Sequence, residues 1–184
     1  FFFLFLFPSG GNLFYGPENL VEASIGSSPV IVVSIQYRLG LLGFGHYGSH
    51  SNLGFSDQQL GLKWVNNYIS HFGGDSSRIS IFGESAGGTS ILLHYSDPLS
   101  FPLFKYAIAE SPGEFVFPNE TLCRQAASEY ASNFKCLGSR QEVVDCLRKI
   151  DVKALYPPQP AAQSYIPCYN MSTMRMLLTS PKND

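Results

Sequence analysis

Ser85 lies in Gly83-Glu84-Ser85-Ala86-Gly87, a G-x-S-x-G pattern, and its flanks supply a structural context. Ser80 to Phe82 alternate polar and apolar like the end of a strand, and Thr89 to Tyr95 reads as a helix. Strand, sharp glycine-flanked turn and helix is the order that makes such a serine a nucleophile elbow. The residue types follow from sterics. A serine on a strained turn needs neighbours with little or no side chain, so that the backbone can fold back without a Cβ clash. A helix beginning at Ala86 turns its first N–H groups and its positive dipole end toward a developing oxyanion. The chemistry this predicts is nucleophilic catalysis by the Ser85 hydroxyl.

The elements that must carry this turn are legible upstream and downstream. Phe1 to Phe7 reads as a buried strand, followed at once by a glycine-rich loop from Pro8 to Gly16. Val30 to Ile35 is a β-branched apolar run, as expected of a strand covered on both faces. Gly43 to Gly54 reads as a polar surface loop. Ser56 then opens a helix, with Ser56 and Gln59 as a capping box and Leu60, Trp64, Val65, Tyr68, Ile69 and Phe72 on one face. Gly73-Gly74 stops it, and Asp75 to Arg78 turns the chain into the elbow strand. Strand, helix, strand implies a parallel sheet with a right-handed crossover. Tyr106 to Glu110 reads as a further short buried strand.

From Pro118 the pattern becomes helical. Leu122, Cys123, Ala126, Ala127, Tyr130 and Phe134 share one face, and Ser139 with Glu142 forms a capping box before Val143, Cys146, Leu147 and Ile150. The expected organisation is therefore a core sheet with the elbow over residues 1–117 and a helical region over 118–184.

With 184 residues, 45% of them hydrophobic, one sizeable core is within reach. A net charge of −2 offers no basic field for nucleic acid. No run approaches the ~18 apolar residues of a spanning helix. The four cysteines, Cys123, Cys136, Cys146 and Cys168, lie in the second half without a zinc-like spacing, so no metal is expected. Two sequons, at Asn119 and Asn170, accompany them, and together they favour an oxidising, secretory or extracellular location.

Four blocks resemble the type-B carboxylesterase and cholinesterase family of α/β-hydrolases, in the family's order. They are Gly10-Gly11-x4-Gly16; Tyr37-Arg38-Leu39-Gly40-x2-Gly43-Phe44; Asn52-Leu53-Gly54-x2-Asp57-Gln58 through Trp64-Val65; and Phe72-Gly73-Gly74-Asp75 running into Phe82 to Gly88. The resemblance covers about residues 4 to 156. It implies an α/β fold, a mainly parallel sheet flanked by helices and here incomplete, its C-terminal strands lying outside the chain. It implies hydrolysis of a small-molecule carboxylic ester through an acyl-serine on Ser85, without a cofactor. The Ala86 N–H would be one oxyanion donor, with the loop at Gly11 and Asn12 supplying others. Glu84 would shape the electrostatics of the site, and Cys136 would pair with Cys146.

Two positions depart from the family. The oxyanion loop reads Ser9-Gly10-Gly11-Asn12, with Asn12 where a third glycine is usual. The acid and histidine that follow the serine in this fold have no counterpart here, since no histidine follows His94. His46 and His50 fall in the loop before the first long helix, and nothing in the sequence aims them at Ser85. His71 reads as a structural histidine and His94 as a dipole contact at the end of the elbow helix. Asp57, Asp75 and Arg78 read as structural, at a helix start, a turn and a loop anchor. The expectation is the first and middle part of a longer esterase. Its rivals are a neuroligin-type binding protein that keeps the fold without catalysis, and an inactive truncated product.

Overall fold

A computed structural model describes residues 2–3, 16–47, 51–113 and 119–155. The described residues divide into two compact units: 2–3, 16–37 and 56–113 form one, and 38–47, 51–55 and 119–155 the other.

The first unit carries a parallel sheet in the order β2-β1-β3-β4, with β1 Phe2–Phe3, β2 Val33–Ser34, β3 Ser80–Glu84 and β4 Tyr106–Glu110. Phe2 lies between Val33 and Ile81, so β1 separates the two strands that the long helix connects. Only Phe2 and Phe3 of the opening phenylalanine run are described. The strand expected over Val30 to Ile35 is confined to Val33–Ser34, and its residues are half-buried. β4 pairs along its full length with β3, from Ser80 opposite Tyr106 to Glu84 opposite Glu110. Contrary to the buried strand expected there, Tyr106 is 57% and Ile108 47% exposed. β4 is the edge of the described sheet, so its side chains and one row of backbone groups lack a neighbouring strand.

Helices α1 (Glu18–Ser24), α3 (Leu53–Tyr68) and α4 (Ala86–Ser96) complete the described helices that lie wholly or mainly in this unit. Leu62, Val65 and Ile69 pack with Ile79, Ile81 and Ile91 to form its core. That cluster joins α3 and the turn after it to β3 and α4, and so fixes the strand and helix on either side of Ser85.

Helix α3 departs from expectation in two ways. It begins at Leu53, after Asn52 with φ 52°, so Ser56 and Asp57 lie inside it rather than at its cap. Gln59, the expected capping-box partner, instead donates to Asp97 Oδ2 at 2.7 Å and Ser100 Oγ at 3.1 Å. Leu60, Trp64, Tyr68 and Phe72 form an exposed ridge, while Phe55, Gln58, Leu62, Val65 and Ile69 are buried. The Trp64 ring lies 5.8 Å from those of Tyr68 and Phe72. The helix gives way to a 3₁₀ turn over Ile69–Phe72, ended by Gly73 at φ 81°. Asp75 then closes the next turn. Its Oδ1 accepts from Ser77 Oγ at 2.6 Å and from the Ser77 N–H at 2.9 Å, and its Oδ2 accepts from Arg78 Nε at 2.7 Å; the Ser77 hydroxyl foremost, these hold its carboxyl below the usual range.

In the second unit, α2 (Gly40–Phe44) occupies the start of the stretch expected to be a surface loop, and Phe44 is 3% exposed. The reason is a close approach. A Cβ on Gly54 would lie 2.4 Å from the Arg38 carbonyl oxygen and 2.7 Å from the Phe44 ring, so only glycine fits. α5 (Glu120–Ser132) and α6 (Arg140–Leu147) follow. α5 buries Cys123, Ala127 and Ala131, whereas Leu122, expected on that face, is 54% exposed. Ser139 and Glu142 form the expected capping box at α6. Tyr130 Oη donates to the Leu155 carbonyl, and Tyr47 Oη donates to the Ala127 carbonyl at 3.2 Å.

Cys136 and Cys146 are joined across a Cα separation of 5.5 Å, closing the loop between α5 and α6. For a bridge over 10 residues, loop-closure entropy predicts that the Cys136→Ala, Cys146→Ala pair loses about 2–3 kcal/mol of stability. Urea denaturation followed by circular dichroism measures this. An unchanged midpoint would show that the bridge adds nothing to the fold.

Candidate active site at the β3–α4 turn

The turn between β3 and α4 consists of one residue, Ser85, at φ 57° and ψ −117°. A positive φ on a residue with a Cβ is uncommon and strained, by about 1–3 kcal/mol, so the surroundings must enforce it. They do so through the backbone. The Ser85 N–H donates to the Glu110 carbonyl on β4 at 2.9 Å, and the Ser85 carbonyl accepts from the Thr89 N–H at 3.0 Å. Thr89 Oγ1 adds a contact, donating to the same carbonyl at 3.3 Å and accepting from the Gly113 N–H at 3.2 Å. Helix α4 can lie this close because Gly88 has no side chain. A Cβ there would meet the Glu110 carbonyl oxygen at 2.7 Å, the Gly83 carbonyl oxygen at 3.2 Å and Pro112 Cα at 3.2 Å, all backbone atoms.

Ser85 and Ala86 are half-buried and Glu84 is exposed, while Gly87 and Gly88 are buried. The hydroxyl of Ser85 is thus presented where α4 begins, and Ala86 is the first residue of that helix. The first N–H groups of a helix lack intrahelical acceptors and carry partial positive charge, which suits them to an oxyanion. Glu84 and Glu110 are register partners on the two adjacent strands, so two carboxylates border the turn. Gly11 and Asn12 lie outside the described residues, as do His50, Cys168 and Asn170.

The histidines fall elsewhere. His94 is 1% exposed, with Nδ1 2.9 Å from Ser100 Oγ and Nε2 3.1 Å from Gln58 Oε1. Burial pushes its pKa down to about 4, against the opposing pull of Asp97. A neutral, doubly engaged imidazole cannot act as a cation on the α4 dipole, so the dipole contact expected from sequence is replaced by a buried polar network. Asp97 Oδ2 accepts from the Ser100 N–H at 2.8 Å and from Gln59, and Gln58 Nε2 lies 3.5 Å from Ser90 Oγ. Tyr37 joins through Gln58, and burial raises its phenol well above the ordinary range. Sequence reasoning missed this network; only the clustering of Gln, Ser and His in otherwise apolar helices signals it.

His71 is exposed, with Nδ1 3.3 Å from the Tyr68 carbonyl, a local structural role. His46 belongs to the second unit, where Nε2 lies 3.7 Å from Glu120 Oε1, and neither ring nitrogen has a hydrogen bond to the described residues. Burial, reinforced by the nearby Arg124, holds its pKa down.

A strand, a one-residue strained turn bearing serine, and a helix packed on the parallel sheet have the strand–turn–helix order of the α/β-hydrolase fold. The sequence profile of the carboxylesterase family matches residues 4–177, and the chain belongs to that family. It is 40% identical over 146 residues to a protein named cocaine esterase from Oryctolagus cuniculus, covering 76% of this chain and 27% of that one. It is 36% identical over 158 residues to juvenile hormone esterase of Tribolium castaneum, covering 79% and 26%. Para-nitrobenzyl esterase of Bacillus subtilis is 39% identical over 155 residues, covering 79% and 31%. The chain thus spans between a quarter and a third of the length of these relatives. Among the described residues, no helix is long and apolar enough to cross a membrane.

Proposed function

We propose that this chain carries the nucleophile of a carboxylic ester hydrolase. Ser85 Oγ attacks the carbonyl carbon, the alcohol leaves, and water then hydrolyses the acyl-serine. The Ala86 N–H, at the start of α4, donates to the oxyanion, with the Gly11–Asn12 loop supplying further donors. Glu84 biases the electrostatic field at the turn. The observation that carries this reading is the positive φ of Ser85, held against its cost by hydrogen bonds to Glu110 and Thr89. A turn serving only to join a strand to a helix would be less strained with glycine there. The reaction needs a base, and His94 is committed to Gln58 and Ser100. The proposal therefore assigns the acid and histidine to chain following these residues, in keeping with the share of the relatives' length that is matched. The names of those relatives support an ester as substrate.

The protein is also assigned to the secretory pathway. Cys136–Cys146 is closed, Cys123 is disulfide-bonded, and two sequons occur in the same half of the chain.

A fluorophosphonate probe tests the nucleophile directly, because it forms a stable bond to an activated serine hydroxyl and ignores an ordinary one. The expected result is a single adduct on the peptide containing Ser85, suppressed by excess ester. An adduct on another serine, or none under conditions where the protein hydrolyses esters, would overturn the assignment.

A further inference from the structure

The sequon Asn119-Glu120-Thr121 lies where α5 begins, and the structure shows what each of its side chains does. Asn119 has extended backbone angles, φ −69° and ψ 165°, and its Oδ1 accepts the Leu122 N–H at 2.9 Å. Capping occupies the carboxamide oxygen alone; Nδ2 makes no hydrogen bond to the described residues. Asn119, Glu120 and Thr121 are all exposed. Arg124 bonds the Glu120 carboxylate and draws it along α5, so this neighbouring charge is engaged away from the Asn119 amide. An oxygen that caps and an exposed nitrogen without a partner among the described residues are compatible with covalent attachment at nitrogen without loss of the cap.

A second, independent observation comes from sulfur chemistry. Cys136 and Cys146 are bridged, and Cys123 is also disulfide-bonded. Disulfides persist in the same lumenal compartment where oligosaccharide is transferred to asparagine.

We propose that Asn119 is an N-glycosylation site, an inference that rests on the secretory assignment above. The donor is a lipid-pyrophosphate-linked oligosaccharide. Asn119 Nδ2 forms a C–N bond to the anomeric carbon, the bond from that carbon to the pyrophosphate oxygen breaks, the lipid pyrophosphate leaves with the electron pair, and the amide gives up one proton. Nothing is oxidised or reduced. The attached sugar lies beside Leu122, three positions along α5 and 54% exposed, and covers an apolar side chain that the protein itself leaves in water.

The test uses the protein purified from eukaryotic cells carrying its gene. Peptide N-glycosidase in heavy-oxygen water converts a glycosylated asparagine to labelled aspartate, which mass spectrometry locates. Label at position 119 is expected. Asn119→Asp retains a capping oxygen and Thr121→Ala leaves the cap untouched. Each should remove one glycan's worth of mass, while Thr121→Ser keeps it and the Cys136–Cys146 bridge still forms in all three. Unlabelled Asn119 in protein with that bridge intact overturns the inference and leaves the secretory assignment standing. Unlabelled Asn119 together with free thiols at Cys136 and Cys146 overturns both.

Discussion

Ser85→Ala is expected to lower kcat for ester hydrolysis by about 10⁶-fold, the scale of losing a catalytic serine, with stability almost unchanged. Alanine keeps the Cβ and therefore the strained backbone at φ 57°. Ser85→Gly should lose as much activity but gain stability. Relief of about 1–3 kcal/mol of strain exceeds the 0.5–1 kcal/mol or so that glycine costs through unfolded-state entropy, leaving roughly 1 kcal/mol. Steady-state kinetics and urea midpoints, both on the full-length protein, read the two quantities separately. Equal hydrolysis by Ser85→Ala and the parent would end the acyl-serine mechanism. A glycine variant less stable than the alanine variant would show that the turn is not strained.

The second large effect is acid sensitivity centred on His94. Its folded pKa of about 4 lies below the ordinary value near 6.5, so between these values the unfolded chain binds more protons than the folded one. The stability that neutral His94 contributes is fully present above about pH 6.5 and is lost as pH falls through about 4, a change of about 3 kcal/mol. His94→Gln removes the titrating group while keeping polar atoms that can face Gln58 and Ser100. Its stability should depend less on pH across that window, by roughly the same amount. Parallel curves for parent and variant would mean that another group governs acid unfolding.

The elbow, the Asp75–Arg78 turn and the Ser139–Glu142 box were legible because each is local: a few adjacent residues satisfy one another's backbone groups. α3 was harder. Ser56 and Gln59 have the chemistry of a cap, but Gly54 must pass the Arg38 carbonyl, and Gln59 finds its partners in Asp97 and Ser100, far along the chain. The repeat of Leu60, Trp64, Tyr68 and Phe72 is as regular as any core stripe, yet the buried stripe is offset and includes Gln58. Periodicity finds an apolar face without identifying which face the sheet will cover. His94 illustrates the same limit. Its position near the end of α4 suggested a charge, and its burial beside Gln58 and Ser100 removes that charge.

The exposed ridge on α3 also governs how this protein can be watched. Trp64 is its single tryptophan, and 44% of its surface meets solvent in the native state. Indole emission shifts when a ring passes from an apolar interior to water, and Trp64 makes only part of that passage on unfolding. Its fluorescence therefore reports on the outer face of one helix, where Tyr68 and Phe72 are the neighbouring rings. A ligand, partner or second molecule that settles on that ridge will change the emission strongly, whereas events at Ser85 reach it only through the helix.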